Sequence, residues 1–175
     1  MNAYLDNNVV SSIVRDDNAS QSKALNTLLV AHDEGRVSLV TSELTLDEIK
    51  KCPPEHRTPL ERTFRLLEKV PVAQSHALLY INSHGTARTW INSPVFQNDP
   101  LLDALLALGI ERVDAEHIYT AAKQGCNAFL TCDNSPRTGI LRRAAKIAEL
   151  CGLAVLRPSE LVSAQGWWRL GRNAA

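Results

Sequence analysis

The stretch Ala3-Tyr4-Leu5-Asp6-Asn7-Asn8, near the start of the chain, decides the fold. Three apolar residues are followed at once by a carboxylate and two amides, and the apolar pattern resumes at Val9 and Val10. This pattern predicts a buried strand that ends on Asp6 and turns into a helix. Because ligands of open α/β sheets bind at the carboxyl edge of the strands, Asp6 marks that edge as a candidate site.

The segments around this strand alternate between short apolar runs and helical patterns. Ser20 to about Asp33 is predicted to be a helix, and Val37 to Val40 is predicted to be the next strand. Later in the chain, Ala128–Thr131 and Leu153–Leu156 are predicted strands, separated by a helix from about Pro136 to Leu150. The alternation predicts an α/β fold, a three-layer α/β/α sandwich with a mainly parallel central sheet.

The 175 residues are predicted to form one domain, residues 1–165. Its last helix is predicted to run from Pro158 to about Ala164, and residues 166–175 form a C-terminal tail without a clear element. The irregular stretch at about 74–112 is a candidate insertion. Of the tryptophans, we expect Trp167 and Trp168 to pack or to form an oligomer contact rather than to stack on bases.

Composition restricts the classes of function. Nineteen basic residues balance nineteen acidic ones, so any nucleic-acid binding must come from a local patch. The four cysteines form no C-x-x-C pair, which favours reduced thiols over a disulfide or zinc site. The sequence shows no signal-peptide pattern and no apolar run of the ~18 residues that a membrane helix needs. We therefore expect a cytoplasmic protein without a membrane partner.

Four acids occur at equivalent places in this predicted fold: Asp6, Glu48, Asp114 and Asp133. Two of them end apolar strands, and two lie near the starts of helices that face the same edge. Packed carboxylates repel one another unless a cation lies between them. Mg²⁺ or Mn²⁺ prefers oxygen ligands, so the pattern is consistent with a divalent metal site.

Each acid also has an interpretation without a metal. Glu48 fits a capping box that starts at Thr45, and Asp114 could be a helix N-cap. Asp133 could belong to an ordinary strand-to-helix turn. His117 is one helical turn from Asp114 and could face the site, but a surface or core histidine is favoured.

Four motifs carry a resemblance to a known family. In chain order they are Tyr4-Leu5-Asp6-Asn7-Asn8, Ser42-x-x-Thr45-x-x-Glu48-Ile49, Asp114-Ala115-Glu116-His117-Ile118-Tyr119-Thr120-Ala121-Ala122 and Ala128-Phe129-Leu130-Thr131-Cys132-Asp133. Together they resemble the PIN-domain ribonucleases, the family that includes the VapC toxins of bacterial toxin–antitoxin pairs. The resemblance covers both ends of the chain.

The resemblance implies an endoribonuclease that cleaves RNA phosphodiester bonds with Mg²⁺ or Mn²⁺. It implies that the metal ligands and catalytic residues are Asp6, Glu48, Asp114 and Asp133, supported by Asn8 and Thr131. Some family members have a further acid just after the last of these four, where this chain has Asn134. The choice between one and two metal ions therefore stays open.

Partners follow from the same resemblance. A toxin of this family would bind an antitoxin protein and form a homodimer, with RNA as its substrate. Arg137, Arg142 and Arg143 are candidate contacts to RNA phosphates, and a solvated helix face is the equal alternative.

Two other classes of function stay open. The first is a PIN-like module that binds RNA or a protein without cutting, consistent with the neutral net charge. The second is a different Mg²⁺-dependent phosphotransfer enzyme. Against the second, the chain has no G-x-x-x-x-G-K-[ST] motif, and Asn8 rather than an acid stands two residues after Asp6.

Overall fold

A computed structural model describes residues 1–15, 19–54, 57, 60, 72–73, 99–137 and 139–172 of the chain. The candidate insertion at about 74–112 is described only from residue 99 onward; the rest of it lies outside the described residues. All of the acids and arginines predicted for the site fall within the described ranges.

Strands and helices alternate along most of the described chain. The strand before Asp6 and the helix that begins at Pro158 are confirmed. In chain order the elements are β1 Asn2–Leu5, α1 Asn7–Arg15, α2 Ala19–Asp33, β2 Ser38–Ser42, α3 Glu43–Lys51, β3 Val72–Ala73, α4 Pro100–Ala107, α5 Arg112–Lys123, β4 Ala128–Leu130, α6 Ala144–Cys151, β5 Ala154–Leu156 and α7 Pro158–Ala164.

The strands form one sheet in the order β3-β2-β1-β4-β5, and each neighbouring pair is parallel. β1 is central: Tyr4 lies opposite Val40 of β2 on one side and Phe129 of β4 on the other. The α/β class with a parallel sheet is thus confirmed. β3 was not predicted from the sequence, because two residues are too few to show a periodic pattern.

Helices cover both faces of the sheet. Leu5 and Leu130 point to one face, where they pack with residues of α1, α2 and α7. Tyr4 and Phe129 point to the other face, where they pack with residues of α4, α5 and α6. Successive strand residues alternate between the faces, so each strand contributes to two buried cores. This arrangement is compatible with the predicted three-layer sandwich.

Two predictions about the C-terminal third of the chain were wrong. The helix expected from about Pro136 begins later, with a 3-10 turn at Ile140–Arg143 followed by α6. The segment expected to lack a clear element forms a 3-10 helix at Trp167–Arg172. Trp167 is buried in the same core as α2, so packing rather than local sequence orders this segment.

None of the helices in the described ranges is long and apolar enough to cross a membrane.

Candidate functional site

Asp6 lies immediately after β1 and is only 3% exposed. Its backbone N–H donates to Leu130 O (3.0 Å), which fixes the residue at the carboxyl edge of the sheet. The Thr131 hydroxyl donates to Asp6 Oδ2 (2.8 Å), and the Asn8 side-chain amide donates to the same oxygen. Burial raises the pKa of Asp6, and the nearby charge of Glu48 adds to the rise.

Asn8 and Thr131 connect the first acid to the segment that carries the last one. Asn8 Oδ1 accepts from the backbone N–H of Cys132 (2.8 Å). The Thr131 hydroxyl accepts from the backbone N–H of Asp133 (3.1 Å) while its own proton points to Asp6. Both residues that the sequence placed beside the acids therefore contact Asp6 directly and hold its carboxylate by hydrogen bonds.

Asp133 follows β4 and organises the turn after it. Its Oδ1 accepts from the backbone N–H of Ser135 (3.0 Å) and from the Ser135 hydroxyl, and its Oδ2 accepts from Ile140 N (3.0 Å). Burial would raise the pKa of Asp133, but these hydrogen bonds and the charge of Arg143 lower it overall. This carboxylate is therefore ionised at neutral pH.

Asp114 lies in the first turn of α5, whose N-cap is Glu111. The alternative interpretation of Asp114 as the helix N-cap is therefore wrong. Burial raises the pKa of Asp114 to about 7, and the negative charges of Asp6 and Asp133 add to the rise. Asp6 and Asp133 therefore lie near enough to Asp114 for their charges to act on its carboxyl group.

Glu48 lies in the middle of α3, where helix capping does not account for it. α3 begins at Glu43 with Ser42 as its N-cap, so the capping box predicted to start at Thr45 is wrong. β2 runs directly into the helix, and the Thr45 hydroxyl is paired with the hydroxyl of Thr41 (2.9 Å). Helix capping therefore does not explain the presence of Glu48.

His117 is buried at 1% exposure and faces Glu48. Its Nε2 lies 3.3 Å from Glu48 Oε2, an ion-pair distance without hydrogen-bond alignment. Its Nδ1 lies 2.7 Å from the Tyr4 hydroxyl, which in turn pairs with the Ser42 hydroxyl. The favoured interpretation, a surface or core histidine, is half right, because His117 is buried in the core and also contacts an acid.

Two signals in the sequence bear on this role of His117. It lies three residues after Asp114 on one helix, and a tyrosine stands in the strand that leads to Asp6. Burial would lower the pKa of His117, but Glu48, Asp6 and Asp114 raise it above its ordinary value. The histidine and the acids are therefore parts of one electrostatic cluster.

A direct metal cage is not preformed in this cluster. Within the ranges that the structure describes, no three His, Cys, Asp or Glu side chains form a group that could hold a metal ion. Mg²⁺ keeps several waters and often takes only one or two carboxylates from the protein. The charge of buried Asp6 raises the pKa of half-buried Asp114, and this repulsion is the feature that fits a cation.

The three candidate arginines differ in their surroundings. Arg137 and Arg142 are exposed, so their side chains are accessible to an anion. Arg143 is half-buried, and its guanidinium donates to four backbone carbonyls of the protein itself. Those hydrogen bonds use donors that a phosphate would need, so Arg143 is better explained as an internal contact.

The cluster lies where the strand order of the sheet reverses. The chain passes from β1 to β2 on one side and later enters β4 on the other side. Ligands of open α/β sheets bind at such a switch point. Comparison with models of protein families, with curated proteins and with solved structures finds no match for this chain. The geometry of the switch point is therefore what indicates a site.

Proposed function

We propose that this chain is a Mg²⁺- or Mn²⁺-dependent endoribonuclease with a PIN-like fold. The observation that carries the proposal is the placement of three aspartates at the switch point: Asp6 and Asp133 follow the two central strands, and Asp114 lies in the first turn of α5. After burial, the charges of Asp6 and Asp133 raise the pKa of Asp114 to about 7. Glu48 joins the same cluster because its charge raises the pKa of Asp6.

The acids fit a divalent cation by charge rather than by a preformed cage. Asp6, Glu48, Asp114 and Asp133 would hold it, directly or through water. When bound, such an ion would relieve their repulsion and act as a Lewis acid at an RNA phosphodiester. One or two direct carboxylates suffice for Mg²⁺, so the proposal does not require three protein ligands.

The remaining residues of the site would hold these acids in place. The Thr131 hydroxyl and the Asn8 amide fix Asp6, and the 3.3 Å contact with His117 fixes Glu48. Such supporting contacts set the orientation of metal ligands in proteins. Exposed Arg142 is a candidate for the RNA backbone, as is Arg137.

RNA cleavage with and without EDTA tests the proposal. We expect the wild-type chain to cut a mixed-sequence RNA in Mg²⁺ or Mn²⁺ and to stop when EDTA is added. Asp6→Asn should lose more than the roughly 100-fold that loss of an outer-shell partner costs. Asp33→Asn is the matched control, because Asp33 is exposed at the end of α2, near the amino edge of the sheet. Cleavage by folded Asp6→Asn at the wild-type rate would overturn the proposal.

A second candidate is a module that binds RNA or a protein without metal chemistry. The specific observation in its favour is that no three acidic, histidine or cysteine side chains of the described ranges form a metal-holding group. Such a module would bind RNA equally well in EDTA and in Mg²⁺ and would cut it in neither. Fluorescence anisotropy of a labelled RNA, read beside a cleavage gel, separates the two functions.

A toxin role would add an antitoxin protein and a second copy of the chain as partners. The acids lie at the carboxyl ends of the parallel strands. An antitoxin that covered these strand ends would exclude RNA. Size-exclusion chromatography at micromolar concentration tests the homodimer. Elution at the volume of a monomer would count against it.

A further inference from the structure

Arg143 connects two segments that are far apart in the sequence. Its Nε donates to Leu108 O (2.7 Å), and its Nη2 donates to Gly109 O (3.2 Å). On the other side, Nη1 donates to Gly139 O (3.1 Å), and Nη2 donates to Arg137 O (2.6 Å). Four of the five N–H donors that a guanidinium carries are thus used within the protein.

Each of these segments leads to an acid of the site. Leu108 and Gly109 end α4 and precede α5, the helix that carries Asp114 in its first turn. The second pair of carbonyls belongs to the turn after Asp133, whose carboxylate accepts from the backbone at the start and end of that turn. Arg143 therefore joins the supports of two carboxylates that repel each other.

Both segments have backbones that leave little room for adjustment. Gly109 has a φ of +72°, and a Cβ added there would lie 3.4 Å from Arg143 Nη2. A Cβ added at Gly139 would lie only 2.5 Å from the backbone of Ser135. The guanidinium is thus held between two tightly packed turns, and its planar donors match carbonyls on both of them.

We propose that Arg143 is a positioning residue of the site, which sets the placement of Asp114 relative to Asp133 by bridging the turns that support them. The inference rests on the proposed function for its catalytic consequence. The bridge itself rests on the four hydrogen bonds alone. The competing explanation is that Arg143 only satisfies the free carbonyls at the end of α4.

The test uses Arg143→Lys and Arg143→Met in the full chain. Lysine keeps the charge but has neither the planar fork nor enough donors for four carbonyls. Arg36→Lys and Arg36→Met are matched controls, because Arg36 is an exposed arginine between α2 and β2 that pairs with Glu34. Three quantities are measured: hydrogen exchange of residues 106–112 and 134–143, the affinity for Mn²⁺, and kcat and KM for RNA cleavage.

In Arg143→Lys we expect exchange to become faster in both segments together. Mn²⁺ affinity should fall roughly 10- to 100-fold, as for other residues that support metal ligands, and kcat should fall while KM stays close to the wild-type value. Arg36→Lys should match the wild type in hydrogen exchange, in Mn²⁺ affinity and in cleavage kinetics. Arg143→Met should show the same changes at least as strongly; if it does not fold, Arg143→Lys alone decides.

The inference is overturned if only one segment exchanges faster in Arg143→Lys. It is also overturned if both do so while Mn²⁺ affinity and kcat stay unchanged, since Arg143 would then be structural only. If the wild-type chain neither binds Mn²⁺ nor cuts RNA, the proposed function fails. In that case the exchange of the two segments still decides whether Arg143 bridges them.

Discussion

Asp6 directly follows β1 and Asp133 lies three residues after the end of β4, and the environments of these two aspartates are opposite. Asp6 is buried, and its pKa is raised by burial and by the charge of Glu48. Asp133 is half-buried, and burial would raise its pKa as well, but its pKa is lowered overall. The same sequence pattern, an apolar strand that ends on an aspartate, therefore gives two carboxyl groups of different chemistry.

The depth of burial and the neighbouring charges explain the difference. Asp133 accepts from two backbone N–H groups and the Ser135 hydroxyl, and Arg143 adds a positive charge nearby. Asp6 also accepts hydrogen bonds, but it lies deeper and faces other acids. The charge of His117 favours the ionised form of Asp6, and a metal ion would favour it further, whereas Asp133 is already favoured as an anion by its hydrogen bonds and Arg143. The Asp6 end of the cluster is thus where a metal ion would matter most.

After the loss of an acid itself, the largest effect on activity and stability together should come from Thr131, which joins Asp6 to the segment of Asp133. Thr131→Val keeps the shape but leaves Asp6, the Asn8 amide and the Asp133 N–H without their shared partner. We expect RNA cleavage to fall roughly 10- to 100-fold. We also expect the free energy of unfolding to fall by about 1–3 kcal/mol. Steady-state kinetics and urea unfolding measure the two effects.

Thr27→Val is the control for that change. Thr27 is also buried, but its hydroxyl only donates to Lys23 O within α2. If Thr131→Val and Thr27→Val lose equal activity, the hydrogen bonds that Thr131 makes between Asp6 and the Asp133 segment do not contribute to cleavage.

A second prediction concerns the contribution of the Asp133 carboxylate to the stability of the folded protein. Asp133→Asn replaces a charged acceptor of three hydrogen bonds with an amide that offers one oxygen and two unwanted donors. We expect the free energy of unfolding to fall by about 1.5–3 kcal/mol at pH 7. Chemical denaturation of the metal-free protein measures it. A gain in stability on this substitution would contradict the account of the Asp133 turn.

Asp114 gives a prediction with a defined pH dependence. Its pKa is about 7 in the folded protein against an ordinary value of 3.8, so the folded state binds more protons between these values. The stability of the metal-free protein should therefore fall as pH rises from about 4 to about 7. With allowance for solvent screening, Asp114→Asn should be more stable than the wild type by about 1–3 kcal/mol at pH 8.

Measurements at low pH are the control for this prediction, because the gain in stability should be much smaller there. Below the ordinary pKa, Asp114 is mostly protonated in both the folded and unfolded states, so the variant and the wild type should differ much less at pH 3.5 than at pH 8. Thermal unfolding across this range, in EDTA, measures the difference. A gain that is equal at pH 3.5 and pH 8 would rule out charge as its cause.

The smallest effect is expected from Ser135→Ala. The substitution removes one donor to Asp133 and leaves the backbone donors of Ser135 and Ile140 in place. We expect the pKa of Asp133 to rise toward its ordinary value, with a loss of about 0.5–1.5 kcal/mol in stability. NMR titration of the Asp133 carboxyl carbon follows the pKa. An unchanged pKa would show that the hydroxyl does not contribute to the environment of Asp133.

Local patterns in the sequence were enough to predict much of the fold. The buried strand before Asp6 is apolar and ends on polar residues, and α7 begins with a proline and has Glu160 in its first turn. Asn8 and Thr131, the two polar residues predicted to support the acids, both contact Asp6.

Features set by distant partners could not be predicted in this way. Asp133 draws Ile140 N back toward itself, so the following helix starts later than its apolar pattern suggests. The internal role of Arg143 could not be predicted, because its carbonyl partners at Leu108 and Gly109 lie more than thirty residues away. The sequence left helix capping as an alternative interpretation of Glu48, because the direct passage of β2 into α3 is a property of the tertiary structure.

Calorimetric titration of the metal-free chain with Mn²⁺ at pH 7.5 tests the central claim most directly. The claim is that the acids around Asp6 form a divalent-cation site. We predict saturable binding by the wild type and by Asp33→Asn, and loss of that binding in folded Asp6→Asn. No uptake of Mn²⁺ by the wild type, or equal uptake by all three proteins, would contradict it.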